Sequence, residues 1–111
     1  MAFEINNRLW IAKNGKPFLG IGRIQLLEQI AQEGSINKAA KGMGMSYKRA
    51  WEIVNTINEM AEEPVVVRQI GGSGGGGTTL TKKGEKLVSE FKRIDDKYRE
   101  LLKQEARHCC F

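Results

Sequence analysis

Residues 35–63, SINKAAKGMGMSYKRAWEIVNTINEMAEE, constrain this chain more than any other stretch. Ser35 can cap a short helix that puts Ile36, Ala39, Ala40 and Met43 on one face. Gly44 supplies the left-handed residue that ends a helix without a Cβ penalty. Ser46 can cap a longer helix, whose inner face is expected to hold Ala50, Trp51, Val54, Ile57 and Ala61. Small alanines in the first helix let the second cross closely. Helix, short Gly-containing turn, helix is the helix-turn-helix arrangement. In such motifs the first turn of the second helix meets base edges, and here that turn carries Tyr47, Lys48 and Arg49.

Charge falls in the same place. The chain of 111 residues carries a net charge of +5. Residues 34–58 hold Lys38, Lys41, Lys48 and Arg49 against Glu52 alone, whereas the other stretches are nearly balanced. A basic patch on a helix-turn-helix is the electrostatic footprint of a polyanion partner, although a merely solvated basic face is the plainer alternative.

The flanks complete one domain. Residues 3–19 read as a β-hairpin, with Phe3, Ile5, Leu9 and Ile11 on one side and Asn14-Gly15 as its type I′ turn. Pro17 suits an edge position. A helix is expected from Gly20 to about Glu33, with a stripe of Ile24, Leu27 and Ala31 widened by Ile30, and Gly34 stops it. After Pro64, the β-branched run Val65-Val66-Val67 opens a strand that reaches Ile70. The loop Gly71-Gly72-Ser73-Gly74-Gly75-Gly76-Gly77 follows, and Thr78-Thr79-Leu80 returns. Strand, loop and strand directly after such a helix make a wing. Thr81 caps a last helix; Gly84 near its start is unfavourable there unless a close neighbour demands it.

The glycine loop contains a formal G-x-G-x-x-G at Gly72, Gly74 and Gly77. A dinucleotide site needs a helix directly after it, and here a β segment follows. A flexible spacer is a second reading. The third, which we adopt, is a hairpin tip whose bare backbone can approach a phosphate or minor groove. Catalytic chemistry is thin. The chain has one histidine, His108, which lies beside Cys109 and Cys110. Three contiguous ligands have poor chelate geometry, so no metal is expected there. No Ser/His/Asp set, His-Glu-x-x-His or paired carboxylate stands out, so neither an enzyme nor a cofactor is expected. No run of eighteen apolar residues predicts a membrane span, and MAFEINNRLW does not read as a leader. The adjacent cysteines staple nothing, as in a reducing cytoplasm.

Three stretches together carry a resemblance. GSINKAAKGMGMSYKRAWEIVNTIN, the loop GGSGGGG and TTLTKKGEKLVSEF resemble the N-terminal DNA-binding domain of the ModE family of molybdate-dependent transcriptional regulators, with LysR-type helix-turn-helix domains more distant. The similarity runs from about Gly20 to about Phe91. It implies a dimeric repressor or activator binding operator DNA in the cytoplasm. Full ModE proteins sense molybdate with C-terminal oligonucleotide-fold-like domains. This chain is expected to be a stand-alone DNA-binding domain without them, and molybdate binding is not expected.

The expected fold class is mainly α (α+β), a winged helix-turn-helix. Residues 1–111 form one domain, divided into the hairpin (1–19), the helix-turn-helix and wing (20–81) and a dimerisation helix (82–106). DNA contacts are assigned to Ser35, Lys38, Lys41, Ser46, Tyr47, Lys48, Arg49, Glu52, Arg68, Gly74, Gly75 and Gly76. Tyr47 and Trp51 could each stack on bases; Trp51 shares a helix face with Ala50 and Val54 and is expected in the core, which leaves Tyr47 as the better candidate for contact. In the last helix Leu87, Phe91, Ile94, Tyr98 and Leu101 alternate at spacings of four and three, the seam of a coiled coil. They are assigned to a homodimer interface, which predicts a palindromic operator. The alternative for this helix is that Leu87 and Phe91 cover their own core and only its distal half is free. The alternative for the whole chain is a winged-helix protein-docking module without specific DNA readout.

Overall fold

The computed structural model describes residues 3–69 and 77–111. Its elements are β1 (Trp10–Lys13), β2 (Lys16–Gly20), α1 (Ile21–Glu33), α2 (Ile36–Gly42), α3 (Tyr47–Ala61), β3 (Val66–Arg68), β4 (Thr78–Leu80) and α4 (Lys82–His108). Each strand pair is antiparallel and separate from the other. This is a winged helix-turn-helix with an added hairpin and a long last helix.

The β1–β2 turn has Asn14 at φ 53° and Gly15 at φ 76°, the two positive angles a type I′ turn demands. Ile11 faces Leu19 but Ala12 faces Pro17, so a bulge interrupts the register. The hairpin is shorter than expected. Pairing ends at Trp10 opposite Gly20, where α1 begins, so residues 3–9 have no partner strand among the described residues. Phe3 and Ile5 are consequently exposed, while Leu9 and Ile11 pack against the core. Lys13 fastens the hairpin to the end of α3. Its ammonium donates to the Met60 carbonyl at 2.6 Å and lies 3.4 Å from the Glu62 carboxylate. A cation there also suits the negative end of the helix dipole.

α1 packs against β2, α2, α3, β4 and α4, so it buries a broad face: Ile24, Leu26, Leu27 and Ile30. A narrow stripe is therefore the wrong description. Leu26 is fully buried and Ala31 is exposed. Gly34 closes α1 in the left-handed conformation, φ 68°, with its N–H on the Ile30 carbonyl. The next turn is a Schellman motif. Gly44 is left-handed at φ 69°; its N–H reaches the Lys41 carbonyl, and the Met45 N–H reaches Ala40. Met43 is the last residue of the α2 cap and Gly44 follows it. Ile36, Ala39 and Ala40 of α2 are buried with Ala50, Ile53, Val54 and Ile57 of α3.

Trp51 is not in that core. It is 45% exposed, because it lies about 100° around α3 from Ala50 and Ile53 takes the inner position instead. The wing is tied down by Asn58 on α3. Its side-chain oxygen accepts the N–H groups of Val65 (2.7 Å) and Val66 (3.1 Å), and its amide donates to the Val66 carbonyl. At the wing base Gln69 donates to Gly77, and Thr78 donates to the Gly34 carbonyl. Thr81 caps α4 by accepting the Gly84 N–H at 3.1 Å.

Candidate nucleic-acid interface

Two serine caps aim the basic face. Ser35 Oγ accepts the Lys38 N–H and Ser46 Oγ accepts the Arg49 N–H, each at 3.1 Å. Both hydroxyl oxygens are thereby spent on the backbone, while the hydroxyl protons stay available to an acceptor. The cap fixes where α3 starts and so fixes Tyr47, Lys48 and Arg49 on its first, solvent-facing turn. All three are exposed, as are Lys38 and Lys41 on α2.

α3 and the wing meet at one polar contact. The Arg68 guanidinium on β3 donates to the Tyr47 hydroxyl at 3.0 Å, so a wing cation and a residue of the helix start are held together across the sequence. Arg49 lies 4.0 Å from Glu52, both exposed; such a pair is weak in water and easily exchanged for a base or phosphate. Arg23, at the start of α1, extends the positive field. Its guanidinium donates to the Phe18 and Pro17 carbonyls. Burial first, and then the charge of Arg49, pull its pKa below the ordinary arginine value. Beside the Tyr47–Arg68 contact a cleft of about 180 Å³ runs between α3 and the wing, with Trp51, Asn55 and Val67 among its walls.

The structure thus brings Tyr47, Lys48, Arg49, Glu52 and Arg68 to one edge, with Ser35, Lys38, Lys41 and Ser46 alongside on the helix-turn-helix. Gly74, Gly75 and Gly76 lie outside the described residues. Trp51, a base-stacking candidate that the sequence assigned to the core, stands at this edge instead, 45% exposed. Its signal was available in the same 3.6-residue period, since Ile53 competes with it for the inner face. The residues assigned to a dimer interface divide. Phe91 is 1% exposed and sits in the core of its own chain, so it has no surface to offer a partner. Leu87 packs on that core as well. Ile94 and Tyr98 are half-buried and Leu101 is 52% exposed. Among the described residues no group of three or more His, Cys, Asp or Glu side chains could hold a metal ion. No described helix is long and apolar enough to cross a membrane.

Comparison with known proteins agrees with this geometry. The family described as bacterial regulatory helix-turn-helix protein, lysR family, matches residues 21–85. The chain is 49% identical over 80 residues to the molybdenum transport protein ModE of Azotobacter vinelandii, covering 72% of this chain and 30% of that one. It is 47% identical over 76 residues to the DNA-binding transcriptional dual regulator ModE of Escherichia coli K12, covering 68% and 29%. It is 42% identical over 83 residues to the molybdenum-pterin-binding protein MopA of Rhodobacter capsulatus, covering 75% and 31%. The matching segment therefore spans less than a third of each of these relatives. The family is one of transcriptional regulators, not of enzymes. With its capped recognition helix, its wing and these relatives, the chain belongs to the LysR family of bacterial regulatory helix-turn-helix proteins and carries a ModE-family DNA-binding domain.

Proposed function

We propose that this protein is a sequence-specific transcriptional regulator that acts as a homodimer on palindromic operator DNA in the cytoplasm. The observation that carries this reading is the exposed first turn of α3, Tyr47-Lys48-Arg49, joined to the wing through Arg68. Ser46 and Tyr47 supply hydroxyls to base edges or phosphates. Lys48 and Arg49 suit the acceptor pair of guanine, and Glu52, one turn on, suits a cytosine amine. Lys38, Lys41 and Ser35 on the α2 side, with Arg68 and the backbone of Gly74, Gly75 and Gly76 on the wing side, contact phosphates. The half-buried Ile94 and Tyr98 and the exposed Leu101 meet their copies in the dimer.

Selection of bound sequences from a random duplex library tests the reading. Enrichment of one palindromic motif supports it; enrichment of nothing above scrambled DNA refutes it. Molybdate is not expected to alter the DNA affinity of this chain. Of the three arginines around the 290 Å³ cavity beside β2, Arg8, Arg23 and Arg99, two are already occupied, Arg23 by the Pro17 and Phe18 carbonyls and Arg99 by Asp95. Calorimetric titration with molybdate and tungstate, with sulfate as control, should give no selective micromolar binding.

A further inference from the structure

We propose that Trp51, with Tyr47 one turn before it, reads thymine methyl groups in the major groove. This rests on the DNA-binding reading above and adds an apolar specificity element to the polar one. The argument starts from exposure. The other large apolar residues of α2 and of the middle of α3, Ile36, Ile53, Val54 and Ile57, are buried, yet Trp51 is 45% exposed and Tyr47 42%. Residues three and four apart share a helix face, so Tyr47, Lys48, Trp51 and Asn55 project together. All four are exposed.

The surroundings select the partner. Trp51 carries a cation one turn before it, Lys48, and looks across the cleft to Val67 and to Arg68. Apolar rings framed by cations suit a ligand with anionic margins and an apolar feature between them. A DNA major groove is such a ligand: phosphates line its rims, and thymine alone among the bases presents a methyl group there. The patch is continuous with the basic first turn of α3, so the same approach that seats Lys48 seats Trp51. Tyr47 is restrained by the Arg68 hydrogen bond at 3.0 Å, which leaves its ring edge for apolar contact. Along the helix axis the two rings are about 6 Å apart, close to two base-pair steps of about 3.4 Å each.

The test uses the whole chain and its selected operator, with each thymine replaced in turn by deoxyuridine, which removes only the methyl group. Deoxyuridine at one or two positions should weaken binding about fourfold. Trp51→Ala should weaken operator binding about tenfold, more than it weakens scrambled-duplex binding, and abolish the deoxyuridine effect at the position it reads. Trp51→Phe, which keeps an apolar ring, should fall between and serves if the alanine variant folds poorly. Wild-type binding that tolerates every deoxyuridine overturns the assignment. So does a folded Trp51→Ala protein that binds as tightly as wild type, an outcome that leaves the ring to a protein partner. So does a loss that is equal on thymine and deoxyuridine duplexes. Failure to select any operator refutes the DNA-binding reading itself and is distinguishable from all of these.

Discussion

Gly84 shows how one residue can be fixed by its neighbours. A Cβ there would lie 2.4 Å from the Val65 carbonyl oxygen, and a backbone oxygen at the start of the wing cannot rotate away. The helix-propensity cost of glycine is accepted because Thr81 and Val65 must meet, with the Thr81 N–H on the Val65 carbonyl at 2.9 Å. Gly84→Ala should destabilise the fold by about 1–3 kcal/mol in denaturant titrations. On the DNA side, residue-scale predictions separate base readers from phosphate readers. Arg49→Ala should cost about 1–3 kcal/mol on the selected operator and much less on scrambled DNA. Lys38→Ala should weaken both duplexes equally and reduce the salt slope by about 0.9. Binding isotherms at several salt concentrations check both; unchanged affinity for the two variants would remove the DNA-reading assignment.

At the scale of elements, the wing depends on α3 through Asn58. That one side chain satisfies two N–H groups of a buried strand start, Val65 and Val66, and donates back to Val66. Asn58→Ala orphans the two donors and should cost about 1–3 kcal/mol of stability. Asn58→Asp keeps the acceptor and should cost less. Because the contact also sets the angle between β3 and α3, both variants should lose operator affinity although Asn58 is not assigned to DNA. Chemical denaturation and operator titration, run on the same variants, check this. The α2–α3 turn is held from both ends: Gly44 and Met45 cap α2 through its own carbonyls and the Ser46 hydroxyl caps α3, so the turn is set before any DNA is present.

At the scale of the molecule, α4 breaks the compact outline. The principal extents are 61 × 29 × 22 Å and the radius of gyration is 16.9 Å, against about 13 Å for a compact chain of this length. α4 has 27 residues, about 40 Å of helix. Its first turns are used at home, where Gly84 and Phe91 are buried and Lys92 pairs with Glu28 on α1. Packing at home continues to Asp95, which is buried, and then fades: Ile94 and Tyr98 are half-buried and Leu101 is 52% exposed. A second copy is the partner that would cover them while placing two recognition helices about 34–36 Å apart, one duplex turn. Sedimentation equilibrium should show a dimer. Ile94→Glu with Leu101→Glu should give monomers that bind the palindrome far more weakly but a half-site about as before. A wild-type monomer at tens of micromolar, or a charged double variant that still dimerises, would sink this interface.

Local chemistry was legible in the sequence. Ser35, Ser46 and Thr81 as caps, Asn14-Gly15 as a type I′ turn, Gly34 and Gly44 as left-handed residues, and the order of helices and strands all follow from spacing and backbone preference, which act within a few residues. What depends on a second element was not legible. The 3.6-residue period admits both Trp51 and Ile53 to the edge of the α3 face, and only the position of α1 and α2 decides that Ile53 goes in. The alternation in residues 3–11 marks apolar residues, but a strand needs a partner, and the partner ends at Gly20. The heptad spacing of α4 is the same whether Phe91 meets its own core or a second copy. The packing of α4 against α1 decides it, because burying that ring within the chain requires no second molecule.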